Sequence, residues 1–324
     1  MPKARKQQVS LDHTRHYHCI SRCVRRSFLC GKDQYSGKCY EHRRRWVEDR
    51  LLCLAKVFAV DVQAYAVMSN HTHVVLYIDL EAARAWEDLE VISRWHQLFS
   101  GTSLTRRFAD SERRGSMEPW ELDLVRAQVD LYRARLADIS WFMRALNEYI
   151  ARKANREDEC TGRFWEGRFR SQALLDEQAL LSCMAYVDLN PIRSGIAQTP
   201  VSSKHTSIRR RIRAAEDGKQ PSELRCFASP KSSTETIPCH LNDYLELVDV
   251  TARVMTKGKG HLPALSPPLL QRLDVDFDCW LELTQGFEYQ FSHYAGRVES
   301  LRRCGEAKQI QRVRGTSAAR RLFG

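Results

Sequence analysis

The stretch from Val60 to Ile78 constrains this chain more than any other. Val60–Met68 (VDVQAYAVM) and His71–Ile78 (HTHVVLYI) both alternate like strands, and only Ser69-Asn70 separates them. Two turn-forming residues between two alternating runs predict a tight β-hairpin. Successive strand side chains point to opposite faces, so His71 and His73 project from one face, close enough to share a divalent metal ion. The same pattern also fits two polar residues on an exposed sheet face.

Around the hairpin, His16–Cys23 (HYHCISRC) reads as a first strand. Tyr40–Phe58 reads as a helix, because Trp46, Leu51, Leu54, Val57 and Phe58 recur at helical spacing. Leu89–Phe99 and Leu122–Ala154 are predicted helices, with Phe108–Pro119 a polar, mobile linker between them. Glu159–Ser171 (ECTGRFWEGRFRS) breaks the helical pattern and is expected to include an extended stretch completing the sheet. Glu177–Leu189 is then a helix stopped by Asn190-Pro191, since proline disfavours helical geometry in the residue before it. The order predicts an α+β fold, an antiparallel sheet backed by helices of the ferredoxin-like or RRM-like kind. Residues 1–217 are expected to form this domain, with an insertion at about 81–122. A Lys-, Ser-, Pro- and Glu-rich linker spans 218–236, and 237–324 form a small helical accessory region with helices at Leu241–Thr256 and Pro268–Tyr294.

The charge balance narrows the partner. Of 51 basic residues against 40 acidic ones, 39 are arginine, giving a net charge of +11 and a pI near 9.2. Arginine forks two hydrogen bonds onto a phosphate and stacks on bases, so the balance favours a polyanion, although a merely solubilising surface has the same charge. The eleven cysteines include no C-x-x-C pair, which argues against a zinc ribbon and against a disulfide framework. The basic opening Met1–Lys6 has no apolar run behind it, and no run approaches a membrane span. A soluble, cytoplasmic protein with no membrane partner is expected.

A second motif supplies a nucleophile. Tyr186 and Asn190 stand at i, i+4 in YVDLNP, on one face of the predicted helix. A tyrosine hydroxyl has a pKa of about 10, so attack on phosphorus at neutral pH needs assistance. A metal held by two neutral imidazoles, with the Asn190 carbonyl as third ligand, would polarise a phosphate and leave positions open for it. The product would be a phosphotyrosine, which conserves the phosphodiester energy for rejoining. A tyrosine such as Tyr186, taken alone, is more often a core or rim aromatic. His16-Tyr17-His18 repeats the histidine spacing, but its basic surroundings and lack of an acidic or amide partner assign it to DNA contact or edge-strand exposure.

These segments together resemble a known family. AVMSNHTHVVLYI, GRFWEGRFRSQ, YVDLNPIRSG and the opening HYHCISRCVRR are similar to the HUH single-tyrosine transposases, most nearly the REP-associated tyrosine transposases of the insertion-sequence-200-like group. The resemblance covers roughly residues 12–215. It implies His71 and His73 as the metal pair, Tyr186 as nucleophile, Asn190 as third ligand, and Mg²⁺ or Mn²⁺ as cofactor. It further implies a bacterial, nucleoid-associated enzyme that cuts single-stranded DNA beside a short imperfect hairpin, leaving a 5′-phosphotyrosine and a free 3′-OH. Thr72 stands where the family has a hydrophobic residue; threonine suits a strand, so the geometry is expected to survive.

DNA contacts are then expected from Arg22, Arg25 and Arg26 beside the first strand, and from Arg163, Arg168 and Arg170 among Phe164, Trp165 and Phe169. Trp165 and Phe169 either stack on bases or pack in the core. Arg209, Arg210 and Arg211 in SIRRRIR are assigned to a hairpin stem, or else form a solvated helix face. Two other functions compete: a non-catalytic regulator binding DNA or RNA hairpins, and a structural zinc protein using histidines with cysteines. Monomer and homodimer both remain open.

Overall fold

The computed structural model describes residues 9–24, 29–32, 37–229, 235–257 and 266–324. The hairpin forms as the alternation predicts and sits in a five-stranded sheet. Its strands are β1 (His16–Arg22), β2 (Val60–Val67), β3 (His71–Ile78), β4 (Arg170–Leu174) and β5 (Tyr294–Ala295), in the order β2-β3-β1-β4-β5. β1 lies between β3 and β4, antiparallel to both. With the helix Arg43–Val57 between β1 and β2, this is the split-βαβ arrangement of ferredoxin-like folds. The expected antiparallel sheet forms, and at its edge β5 adds a short parallel pairing to β4, with Ala173 opposite Tyr294.

Register decides which side chains meet. His18 lies opposite Val75 and Gln172, and Ile20 lies opposite His73. Directly opposed residues share a face, so His18 becomes a diagonal neighbour of His73, with His71, Arg22, Arg170 and Gln172 on the same side. The other side packs on the helices Arg43–Val57 and Ile139–Glu157, where Tyr65 donates to Glu48 and Asn147 donates to Ser21.

The histidine face is covered by the helix Glu177–Asp188, hereafter the tyrosine helix. Asp176 caps its start by accepting from the Ala179 N–H at 3.0 Å, a contact worth about 1 kcal/mol. Ala179 to Asp188 are all buried, so this helix is apolar almost all round and needs cover on its outer side too. Residues beyond 237 provide that cover. The helix Phe277–Gln290 packs along the tyrosine helix, and Tyr244 of the helix Leu241–Lys257 donates to Asp188 at 2.6 Å. Asp188 also accepts from the Ser207 hydroxyl and from the Ile208 N–H at 3.0 Å, joining three helices at one carboxylate.

Three predicted boundaries differ. Phe108–Pro119 is not a loose linker: the short helices Ser103–Ala109 and Ser111–Arg114 are capped by Thr102 and Asp110, and Arg107 reaches Glu121 at 2.7 Å. The predicted helix 122–154 is two helices, Pro119–Leu136 and Ile139–Glu157, because Asp138 accepts from Ser140 N–H and starts a new one. The predicted helix 268–294 breaks at Asp274, whose φ of 54° ends Pro268–Leu273 before Phe277–Gln290 begins. Among the described residues no helix is long and apolar enough to cross a membrane.

Candidate active site

The sheet and the tyrosine helix bring three histidines and Tyr186 together. His18 Nε2 lies 3.0 Å from His73 Nδ1, with the two rings stacked. The tautomer of His18 follows from its other side. Gln172 donates its amide to the Ser292 carbonyl at 3.0 Å, which turns its oxygen toward His18 Nδ1 at 3.4 Å. With the proton on Nδ1, the His18 Nε2 lone pair faces His73, the kind of outer support that orients ligand imidazoles. His71 is half-buried, its Nδ1 lies 2.6 Å from the Asn70 carboxamide oxygen, and its ring meets that of His73 edge-on at 4.8 Å.

Burial sets the charge states. It lowers His18 and His71 to about 4 and holds His73 well below the usual imidazole range, with neighbouring positive charge adding to each shift. All three imidazoles are therefore neutral near pH 7, the form that offers a lone pair to a metal.

Glu288, on the helix Phe277–Gln290, completes the group. Its Oε1 lies 3.4 Å from His73 Nδ1 and accepts from the Tyr186 hydroxyl at 3.2 Å, while Oε2 is 3.7 Å from Arg170. The donor atoms of His18, His73 and Glu288 all fall within 4.8 Å of one another. His73 Nε2 is also buried without a hydrogen-bond partner. Two neutral nitrogens and a carboxylate oxygen fit a divalent ion of the borderline kind.

Tyr186 is 5% exposed and wedged between His18, His73 and Phe287. Arg193 stacks on its ring at 4.0 Å and is pinned there by the carbonyls of Tyr186 and Thr284, at 3.2 and 2.8 Å. Burial first, then the Glu288 charge, raises the phenol above its usual range, against the pull of Arg193. The hydroxyl is thus protonated and donates to the Glu288 carboxylate.

The expected site residues are distributed unevenly. Tyr186, His73 and His71 converge. Asn190 is buried one turn beyond Tyr186, but its carbonyl oxygen accepts from Ser194 at 3.2 Å, and among the described residues no hydrogen bond joins it to a histidine. Arg22, Arg163, Arg168 and Arg170 are exposed. Arg25 and Arg26 lie outside the described residues. Phe164 and Phe169 are core residues, and Trp165 is half-buried with its indole N–H on the Asn147 carbonyl at 2.8 Å. Arg209 is half-buried, and Arg210 is held by Tyr65 and Glu48 at 3.2 and 3.3 Å. Arg211 corrects the expectation of a basic binding face. It is fully buried, donating to the carbonyls of Gln63 and Arg225 at 2.8 and 3.0 Å, and has no surface for a phosphate.

Two residues of the cluster escape sequence reasoning. His18 belongs to the pair set aside as a decoy, although its spacing equals that of His71 and His73. Glu288 lies 102 residues beyond Tyr186, with no local pattern to mark it.

No protein-family model and no curated protein matches this sequence. Among solved structures, the fold is similar to that of a REP-associated tyrosine transposase bound to a REP hairpin. That likeness has 12% identity over 74% of this chain and 99% of the other, with a TM-score of 0.37. A superposition that loose assigns no chemistry, which has to come from the side chains.

Proposed function

We propose that this protein cuts and rejoins single-stranded DNA beside hairpin elements, with Tyr186 as nucleophile. The observation that carries the reading is the meeting of the Tyr186 hydroxyl and neutral His73 on one carboxylate, Glu288. Glu288 Oε1 takes the phenolic proton as the tyrosine oxygen bonds to phosphorus. The P–O3′ bond breaks, the 3′ oxygen leaves and takes a proton from solvent, and the 5′ phosphate stays on Tyr186. Attack by a 3′-OH reverses the step and rejoins a strand. A divalent ion on His73 with His71 or His18, Mg²⁺ or Mn²⁺, would supply charge neutralisation at the phosphate. Imidazole donors favour Mn²⁺ of the two. Glu288, rather than Asn190, would supply the oxygen ligand. Arg193, under the ring, holds the phenol in position and stabilises the negative charge that develops on its oxygen as the proton leaves. Hairpin selection follows from the sequence resemblance, and with it a place on DNA in a bacterial cytoplasm.

One observation favours a second reading, a regulator that binds hairpins without cutting: Tyr186 is almost wholly buried and its hydroxyl is capped. The two are separated by single-stranded oligonucleotides carrying the inverted repeats of the gene's flanks, labelled at the 3′ end and incubated with Mn²⁺. Cleavage predicts a labelled protein band that survives boiling in detergent, absent from Tyr186→Phe and from a chelated sample. Hairpin binding with no such band supports the regulator.

A further inference from the structure

Beside the tyrosine site opens a cleft of about 1330 Å³ whose lining, Arg170 apart, lies outside the sequence motifs. It begins at Glu288 and Arg170 and runs along the helices Val298–Ala307 and Thr316–Leu322. Five arginines line it, Arg170, Arg302, Arg312, Arg314 and Arg320, against only two carboxylates, Glu288 and Glu306. Arg302, Arg312, Arg314 and Arg320 are all exposed, and among the described residues none of the four has a carboxylate partner. Arg321, next to the last of them, is by contrast neutralised by Glu282. Unpaired cations along one channel repel each other, so they are better explained by an absent polyanion than by stability.

An aromatic stands at the mouth. Gly286 departs from helical geometry (φ −143°, ψ 28°), which shifts the phase of the residues after it. Phe287 turns into the core, Glu288 toward the histidines, and Tyr289 into solvent with 89% of its surface exposed. A fully presented tyrosine beside a row of guanidinium groups matches what single-stranded nucleic acid needs: a platform for a base and charges that track the backbone.

We infer that this cleft holds the single-stranded DNA that flanks the scissile phosphate, with phosphates on Arg302, Arg312, Arg314 and Arg320 and a base stacked on Tyr289. The inference rests on the DNA-cutting reading for the identity of the strand, and it gives the residues after 237 a role in gripping substrate. A duplex stem offers no bare base face to Tyr289, which is why a single strand is the occupant.

The test measures binding without chemistry. Fluorescence anisotropy follows an oligo(dT) of about 12 nucleotides, within the footprint of known single-strand binders, in EDTA across a salt series. Arg312→Glu/Arg314→Glu should weaken binding at least tenfold and reduce the slope of log K against log salt by about 1.4, at about 0.7 per phosphate lost. Tyr289→Ala should weaken binding roughly five- to hundredfold while leaving the slope unchanged. Arg113→Glu/Arg126→Glu, both outside the cleft, changes the net charge by the same four units and should match wild type. Unchanged melting temperatures show that the variants are folded. Wild-type binding by both cleft variants overturns the inference, as does equal loss in the Arg113/Arg126 control. Tighter binding of oligo(rU) through the same residues overturns the assignment to DNA. The two proposals fail separately. Cleft-dependent binding with no Tyr186 adduct refutes the enzyme and keeps the cleft; adduct formation by a protein whose cleft variants bind normally does the reverse.

Discussion

Asp188→Asn should make the protein relatively more stable as pH rises. Asp188 is wholly buried at the end of the tyrosine helix, and burial lifts its pKa from 3.8 to about 6, despite the donors Ser207, Tyr244 and Ile208 that pull it back. The folded chain therefore holds the proton more tightly than the unfolded one. The stability Asp188 contributes is complete below the unfolded pKa and is lost as pH rises through the folded pKa. A shift from 3.8 to about 6 corresponds to roughly 3 kcal/mol over the whole range. Roughly 1 kcal/mol of that falls between pH 5 and 7, because the unfolded carboxylate has largely ionised by pH 5. Asparagine keeps an oxygen for the Ile208 N–H and the Ser207 hydroxyl, can donate to the Tyr244 oxygen, and has no charge to bury. Urea unfolding of both proteins at pH 5, 6 and 7 in EDTA gives the double difference, in which the shared histidines cancel. The variant should gain about 1 kcal/mol on wild type from pH 5 to 7. A flat difference, or one of opposite sign, refutes the assignment of a raised pKa to this carboxylate.

Three other outcomes are expected. Gly101→Ala should cost about 2 kcal/mol in urea unfolding, because Gly101 has φ +67° and a Cβ there would lie 2.1 Å from His96 Nε2; an unchanged midpoint would refute this. Mn²⁺ at a hundredfold excess over its Kd should stabilise wild type by about 2.7 kcal/mol, read as a rise in Tm, and most of that rise should vanish in His18→Ala. An equal rise in the variant removes His18 from the ligand set. Arg211→Met should leave the salt slope of hairpin binding unchanged, since Arg211 is buried, whereas Arg209→Ala should reduce it by about 1 if Arg209 meets a phosphate. A reduced slope in Arg211→Met would show that this helix opens on binding.

The strands were legible because their alternation is local: β3 spans His71–Ile78 as read, and β2 ends one residue early at Val67. What local pattern could not supply is strand neighbourhood. His18 looked stranded among basic residues because nothing in HYHCISRC says that β1 will lie against β3 in a register two residues off. A signal for Arg211 was present, however. Ile208 and Ile212 flank it at i−3 and i+1 on the inward stripe of the helix Ser207–Glu216, so three consecutive arginines cannot all face water. The tyrosine helix carried a similar hint, since a segment apolar on every side must be sandwiched. Which segment covers it, and that this segment brings Glu288, depends on contacts about a hundred residues apart, beyond any window of periodicity.

That separation also sets a schedule. At about 5–20 residues per second, the ribosome needs about 5–20 s to pass from Tyr186 to Glu288. During that interval the nascent chain already has its three histidines and Tyr186, but neither Glu288, to which the phenol donates, nor β5, which covers the β4 edge. A copy interrupted before Phe277 would carry the whole recognisable motif and, on the proposed mechanism, lack the group that takes the phenolic proton.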